Sequence, residues 1–213
     1  MKLLELFAGS RSVGKIAEEL GFEVFSTDIE AYDNINLVKD IRDIVPEDIP
    51  FIPDIIWLSP MCTWFSVSSI GKHWNHDNTP KTENALLGVQ LVQTGLDLVN
   101  YYLKLNSNLK WFMENPTGKL RKLDVVKGLP MVSVAYCQYG DFRKKPTDIW
   151  SNHIFNEDNL LGWIPRPMCK NGSPCHVAAP RGSKTGTQGM VNAYEKGKIP
   201  EQLCKEILNS CIN

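Results

Sequence analysis

No apolar run in this chain of 213 residues reaches the roughly 20 residues that a membrane span requires. Glu5 interrupts the first apolar stretch, where a secretory signal peptide would carry an uninterrupted one. Both absences lead us to expect a cytoplasmic protein with no membrane partner. Internal repeats and low-complexity tracts are also missing, which sets aside solenoids and disordered tails. The six cysteines contain no Cys-x2-Cys pair, and a chain of this length has no need of a disulfide scaffold, so they are read as reduced. A Gly-x-Gly-x-x-Gly turn is absent too. Gly9 and Gly14 are separated by four residues, which argues against NAD.

The chain also has almost no net charge, −1, but the balance is uneven along it. Residues 1–103 carry 7 Lys+Arg against 15 Asp+Glu, and residues 104–198 carry 15 against 7. A basic half on a near-neutral protein can attract a polyanion such as nucleic acid.

Hydrophobic patterning gives an α/β organisation. Short apolar segments at Lys2–Leu6 and residues 23–27, 36–38, 54–58, 110–113 and 132–136 read as strands. Residues 13–20 have helical spacing with Gly21 as a stop, and Glu83–Leu105 reads as a long amphipathic helix. Residues 147–150 are expected to pair with 132–136 as a hairpin. The tail from Pro200 reads as a closing helix with proline at its first turn. Strand–turn–helix alternation implies a mostly parallel sheet covered on both faces. Ligands of such sheets sit beyond the carboxyl ends of the strands. Those ends carry Phe7-Ala8-Gly9, Asp28, Asp40, Ser59 to Cys62, and Glu114-Asn115.

Two of these segments suggest chemistry. Cys62 follows a buried-looking strand beside Pro60, and Glu114 ends another. Taken singly, a buried small thiol and a turn acid are the blander readings. Taken together and in order, Phe7-Ala8-Gly9, Ser59-Pro60-x-Cys62-x-x-Phe65-Ser66 and Glu114-Asn115 resemble the motifs of the cytosine-C5 DNA methyltransferases. Ile199-Pro200-x-x-Leu203-x-x-x-Ile207 resembles that family's C-terminal motif. The likeness covers residues 1–150 well and 190–213 loosely. It departs at three places: Arg11 stands where a second glycine is usual, Met61 where a proline is usual, and Thr147 where a second arginine is usual.

The resemblance implies a Rossmann-like S-adenosylmethionine-dependent methyltransferase fold and methylation of carbon 5 of a flipped-out cytosine in double-stranded DNA. In that reading Cys62 attacks C6 as a thiolate, Glu114 offsets charge at N3, and Arg143, or as second choice Lys145, contacts the base. S-adenosylmethionine would be held by Phe7, Ala8, Gly9, Ser10, Asp28, Ile29, Asp40 and Pro60. Ser66, Asn115, Lys145 and Thr147 would touch the substrate. About twenty residues after Cys62 lack a strong period and are expected to form a mobile lid.

The expected layout is a catalytic and cofactor domain over residues 1–151, a small irregular recognition segment over 152–190, and a C-terminal helix over 191–213 returning to the catalytic domain. Larger family members place a recognition domain where this chain has only 152–190. Arg181, Lys184 and Gln188 offer phosphate charges and a base-reading amide there. Cys169, Cys175 and His176, with Cys137, have a rival reading as metal ligands. Structural zinc sites usually show tighter pairs, so no metal ligand is assigned. A monomer is expected. The alternatives are an RNA cytosine-C5 methyltransferase and a non-catalytic nucleic-acid-binding relative.

Overall fold

The computed structural model describes residues 1–177 and 192–212. Arg181, Lys184 and Gln188 therefore lie outside the described residues. Seven strands build one sheet: β1 (Lys2–Leu6), β2 (Glu23–Asp28), β3 (Leu37–Val38), β4 (Ile55–Leu58), β5 (Lys110–Pro116), β6 (Met131–Ala135) and β7 (Pro146–Ser151). Their order is β3-β2-β1-β4-β5-β7-β6. The first five are parallel, and β7 runs antiparallel to both β5 and β6. This is the mostly parallel sheet with an antiparallel hairpin that the sequence implies. The helices are α1 (Ser12–Glu19), α2 (Ile70–His73), α3 (Glu83–Leu105), α4 (Ala193–Gly197) and α5 (Glu201–Ile212).

β4 is apolar at every position, and β1 is apolar between Lys2 and Glu5, because both faces of the sheet are covered. Leu4, Leu6, Ile56 and Leu58 point to one side and bury against Val92, Leu96 and Val99 of α3. Leu3, Ile55 and Trp57 point to the other and bury against Val13 and Ile16 of α1 and Leu203 and Ile207 of α5. Trp57 stacks on Phe112 across the β4–β5 boundary, with ring centroids 5.7 Å apart. The side chain of Thr82 caps α3 by accepting from the Ala85 amide. Helix α1 is capped differently. Glu5, buried in β1, accepts from the amides of Val13 and Gly14 at 3.2 and 3.1 Å and from the Ser26 hydroxyl at 2.8 Å. Its carboxyl is pushed upward, chiefly by burial, against these hydrogen bonds.

The C-terminal helix comes back to the front of the sheet. The Ile199 amide donates to Ser12 Oγ at 3.1 Å, and the Pro200 carbonyl accepts from the Cys204 amide in the first turn of α5. Chain connection reverses between β1 and β4, the place where a sheet of this kind opens a crevice at its carboxyl end. The exits of β1 and β4 flank that point, and the exit of β5 lies next to them.

Candidate active site

Strand β4 delivers Cys62. The Ser59 amide donates to the Leu6 carbonyl, fixing the exits of β4 and β1 side by side, and Trp57 Nε1 donates to Ser59 Oγ at 2.8 Å. Pro60 is buried, and its carbonyl accepts from Asn115 Nδ2 at 2.9 Å. That bond ties the turn to the end of β5. Cys62 is half-buried, and its carbonyl accepts from the amides of Phe65 and Ser66. Burial pushes its thiol above the ordinary cysteine range, the charge of Glu114 pushes it further, and Lys145 and Lys196 pull it back.

Strand β5 delivers Glu114 to the same place. Its Oε1 accepts from the Tyr136 hydroxyl at 2.8 Å and lies 3.7 Å from Lys145 Nζ. Glu114 and Tyr136 are buried, and Lys145 is half-buried with its side chain 8% exposed. Tyr136 is held well above its ordinary value by burial and by Glu114, so it stays a phenol and a donor. Lys145 sits 4.4 Å over the Tyr136 ring and also donates to the Lys196 carbonyl at 3.1 Å. The buried amide oxygen of Asn115 has no hydrogen-bond partner among the described residues.

The structure does not bring Arg143, the first-choice cation, to Glu114. Its guanidinium is claimed by Asp141, two residues back, at 2.5–3.0 Å. It also donates to the carbonyls of Glu195, Lys196 and Lys198. Lys145, the second choice, is the cation at the carboxylate. Thr147 is fully buried inside β7 and donates to the Lys145 carbonyl at 3.1 Å.

The β1 exit forms a tight turn in which Phe7, Gly9 and Arg11 all take positive φ, 56°, 49° and 54°. Arg11 holds the left-handed conformation that favours glycine. Its side chain leaves the turn, donating to Ser26 Oγ at 3.0 Å and pairing with Glu18. The turn is closed by the Arg11 amide on the Ala8 carbonyl at 2.7 Å, and Ser10 and Ser12 share a hydroxyl bond. A Cβ on Gly9 would meet open space, so the backbone there is accessible from outside. Phe7 is half-buried over Gly95 of α3. Asp28, at the end of β2, accepts from the Gly9 amide at 2.8 Å and the Glu30 amide at 3.0 Å. A carboxylate offers about four acceptor positions, so two remain for a ligand. Ile29 beside it is exposed.

Asp40 is expected to meet a cofactor, and within the chain it is partnered by Arg42. It begins a short 3-10 turn, accepts from the Arg42 amide at 2.9 Å, and takes the Arg42 guanidinium on both oxygens at 3.0 and 2.6 Å. Most of its acceptor capacity is used within the chain.

Residues 62–82 are less free than a lid without internal order. Phe65 and Trp74 are buried and stack on each other at 5.9 Å. Trp74 Nε1 donates to the Trp64 carbonyl, and His73 bonds Thr82 Oγ1. The Lys119 amide donates to the Phe65 carbonyl at 2.7 Å. Ser66, Ser68 and Ser69 form a hydroxyl cluster at the rim. Tyr136, which donates to Glu114, is a neighbour that the sequence does not single out. Its sign is a phenol that closes the apolar segment 132–136.

A cleft of about 570 Å³ lies between Tyr139–Arg143 and Lys198–Gln202. Neither Cys62, Glu114 nor the β1 turn lines it, so it is not the place where these groups would act.

No family model matches the chain. A protein of Frog virus 3 (isolate Goorha), named as a probable DNA (cytosine-5)-methyltransferase, is 24% identical over 99% of this chain and 100% of its own length. Among solved structures, a protein described as a "putative DNA modification methyltransferase" encoded within an E. coli prophage aligns with a TM-score of 0.52. It is 15% identical, over 79% of this chain and 52% of its own. The Entamoeba histolytica methyltransferase EhMeth aligns with a TM-score of 0.52 and 15% identity, over 71% of this chain and 52% of its own. The chain spans about half the length of these two solved proteins. It has the α/β Rossmann-like fold of the methyltransferases, with the exits of β1, β4 and β5 gathered on one rim.

Proposed function

We propose that the chain is a DNA (cytosine-5)-methyltransferase in which Cys62 forms a covalent adduct with a flipped-out cytosine. One observation supports this reading most. Strands β4 and β5 pair in parallel, and the Asn115–Pro60 bond ties their exits together, so that the turn carrying the Cys62 thiol adjoins the buried Glu114 carboxylate and its Lys145 partner. The near full-length likeness to the Frog virus 3 protein supports the same substrate.

The residues at the β1 and β2 exits fit S-adenosylmethionine. The open backbone of Gly9 allows close approach, Phe7 offers a half-buried ring edge, and Asp28 keeps acceptor positions for ribose hydroxyls. When bound, that cofactor supplies an electrophilic methyl group. Cys62 adds to C6 of cytosine, which breaks aromaticity and gives C5 the electron density to take the methyl. Negative charge builds at N3, where Glu114 hands over a proton from its second oxygen and recovers it when the adduct collapses, Oε1 being engaged by Tyr136 and Lys145. Removal of the C5 proton, to water as base, returns the C5–C6 double bond and expels the Cys62 thiolate. The unpartnered Asn115 oxygen gives a buried acceptor beside this site for a donor of the bound base.

The test is incubation with labelled S-adenosylmethionine and separate DNA and RNA substrates. DNA bearing 5-fluorocytosine is expected to become covalently trapped, because fluorine does not leave as the C5 proton does. Cys62→Ala is expected to abolish trapping. Trapping that survives this substitution removes Cys62 as nucleophile, and methylation of RNA alone replaces DNA as substrate.

A further inference from the structure

We propose that the chain holds a structural zinc ion between Cys137, Cys169, Cys175 and Nδ1 of His176. The four ligand atoms all lie within 4.8 Å of one another. Cys137 Sγ is 3.2 Å from Cys169 Sγ and 3.7 Å from Cys175 Sγ. His176 Nδ1 is 3.7 Å from Cys169 Sγ and 3.5 Å from Cys175 Sγ. Zinc bonds of ~2.3 Å to sulfur and ~2.0–2.1 Å to nitrogen, set at tetrahedral angles, place sulfurs roughly 3.8 Å apart and sulfur and nitrogen roughly 3.5 Å apart. Three of the four measured separations fall close to those edges, and the fourth is shorter. Three thiolates and an imidazole are a soft to borderline donor set, which selects zinc over magnesium or calcium. Four protein ligands fill a tetrahedron and leave no position for a reacting water, so the role is structural.

The location gives the ion something to do. Cys137 belongs to the short turn Tyr136–Tyr139 after β6 and directly follows the tyrosine that bonds Glu114. The other three ligands come from residues 164–177, which contain neither helix nor strand. Apart from the cluster, that stretch is held by a few polar contacts. The Arg166 amide donates to Tyr139 Oη, its guanidinium meets Gln138 and Glu206, and the Val177 amide donates to Phe142. Gln138 Nε2 donates to Cys175 Sγ at 3.4 Å, a neutral second contact of the kind that supports a thiolate ligand. The ion would staple this irregular stretch to the hairpin that carries the active site. The spacing hides it: Cys137 is 32 residues from Cys169, and Cys169 is six from Cys175, so no paired motif appears.

The experiment uses the whole chain purified without chelator from zinc-supplemented medium. Elemental analysis is expected to give one zinc per chain, released by a mercurial that titrates thiols. Exchange with cobalt(II) is expected to produce the intense visible bands of a tetrahedral thiolate site. Cys169→Ser is expected to lose the metal. Because that variant can fail to fold, Cys175→His serves as a second: two cysteines and two histidines also bind zinc, so it should keep the metal and shift the cobalt bands. A chain with substoichiometric zinc and no cobalt bands overturns the proposal. So does an intact mass showing a Cys137–Cys169 disulfide in the native protein. None of these measurements depends on methyl transfer.

Discussion

Cys62 sits between opposing influences. Burial and Glu114 hold its thiol up, while Lys145 and Lys196 draw it down toward the reactive thiolate. Removing Lys145 should therefore raise the thiol further. Lys145→Met is expected to move the acid limb of the pH profile of kcat/KM to higher pH, since that limb reports ionisation of the free enzyme. Circular dichroism would confirm folding, because breaking a buried ion pair also costs stability. A profile that falls in height without moving would make Lys145 merely structural. Glu114→Gln keeps the shape but loses the charge and the proton, and should slow methyl transfer by about two to four orders of magnitude. Cofactor affinity, measured by calorimetry, should change little. Near-normal turnover would take Glu114 out of the mechanism. Cys62 and Glu114 could be singled out from the sequence because each follows an apolar run directly. The choice between Arg143 and Lys145 could not be made there. It turns on Asp141, which captures Arg143 through a local turn, and on a positive φ of 25° at Lys145 that redirects the chain. Tyr136 depended on knowing that β7 lies between β5 and β6.

At the scale of elements, strand positions follow from apolar runs, and their ends do not. β5 continues to Pro116, past the apolar stretch that ends at Met113, because β7 pairs Asn115 with Asp148 and Pro116 with Thr147. Partner strands, not propensity, set that boundary. The same limit applies to residues 62–82, whose order comes from contacts with a distant segment. Gly118, after β5, marks the contact most sharply. A Cβ there would lie 2.3 Å from the Phe65 carbonyl oxygen, a backbone atom that cannot swing aside. Gly118→Ala should therefore push the Phe65–Trp74 pair off its seat. The expected loss is about 1–3 kcal/mol, the usual scale for overpacking, seen in the denaturant midpoint. Turnover should fall with it, since the same segment begins at Cys62. An unchanged midpoint would mean that the segment adapts freely and is closer to the mobile lid that its weak periodicity suggests.

Across the whole molecule, the strand order follows the charge asymmetry along the sequence. β3, β2, β1 and β4 all come from the acidic first half, and β5, β7 and β6 from the basic second half. The β4–β5 boundary, with Cys62 on one side and Glu114 on the other, divides the two. This arrangement suits the proposed reactants: a sulfonium cofactor on the acidic side and a polyanion on the basic side. Arg181 and Lys184 belong to the basic half by sequence but lie outside the described residues. If they contact phosphates, DNA binding should release counterions at each of them. The logarithm of DNA affinity against the logarithm of salt concentration should fall linearly, with a slope of about −0.9 per phosphate contact. Arg181→Ala with Lys184→Ala should then make the slope shallower by about 2 while cofactor affinity stays as it was. Fluorescence anisotropy with a short duplex across a salt series measures this directly. An unchanged slope with reduced affinity would assign the pair to folding of the segment. An unchanged slope with unchanged affinity would place the phosphate contacts elsewhere in the basic half, with Lys144 and Lys127 the next to substitute.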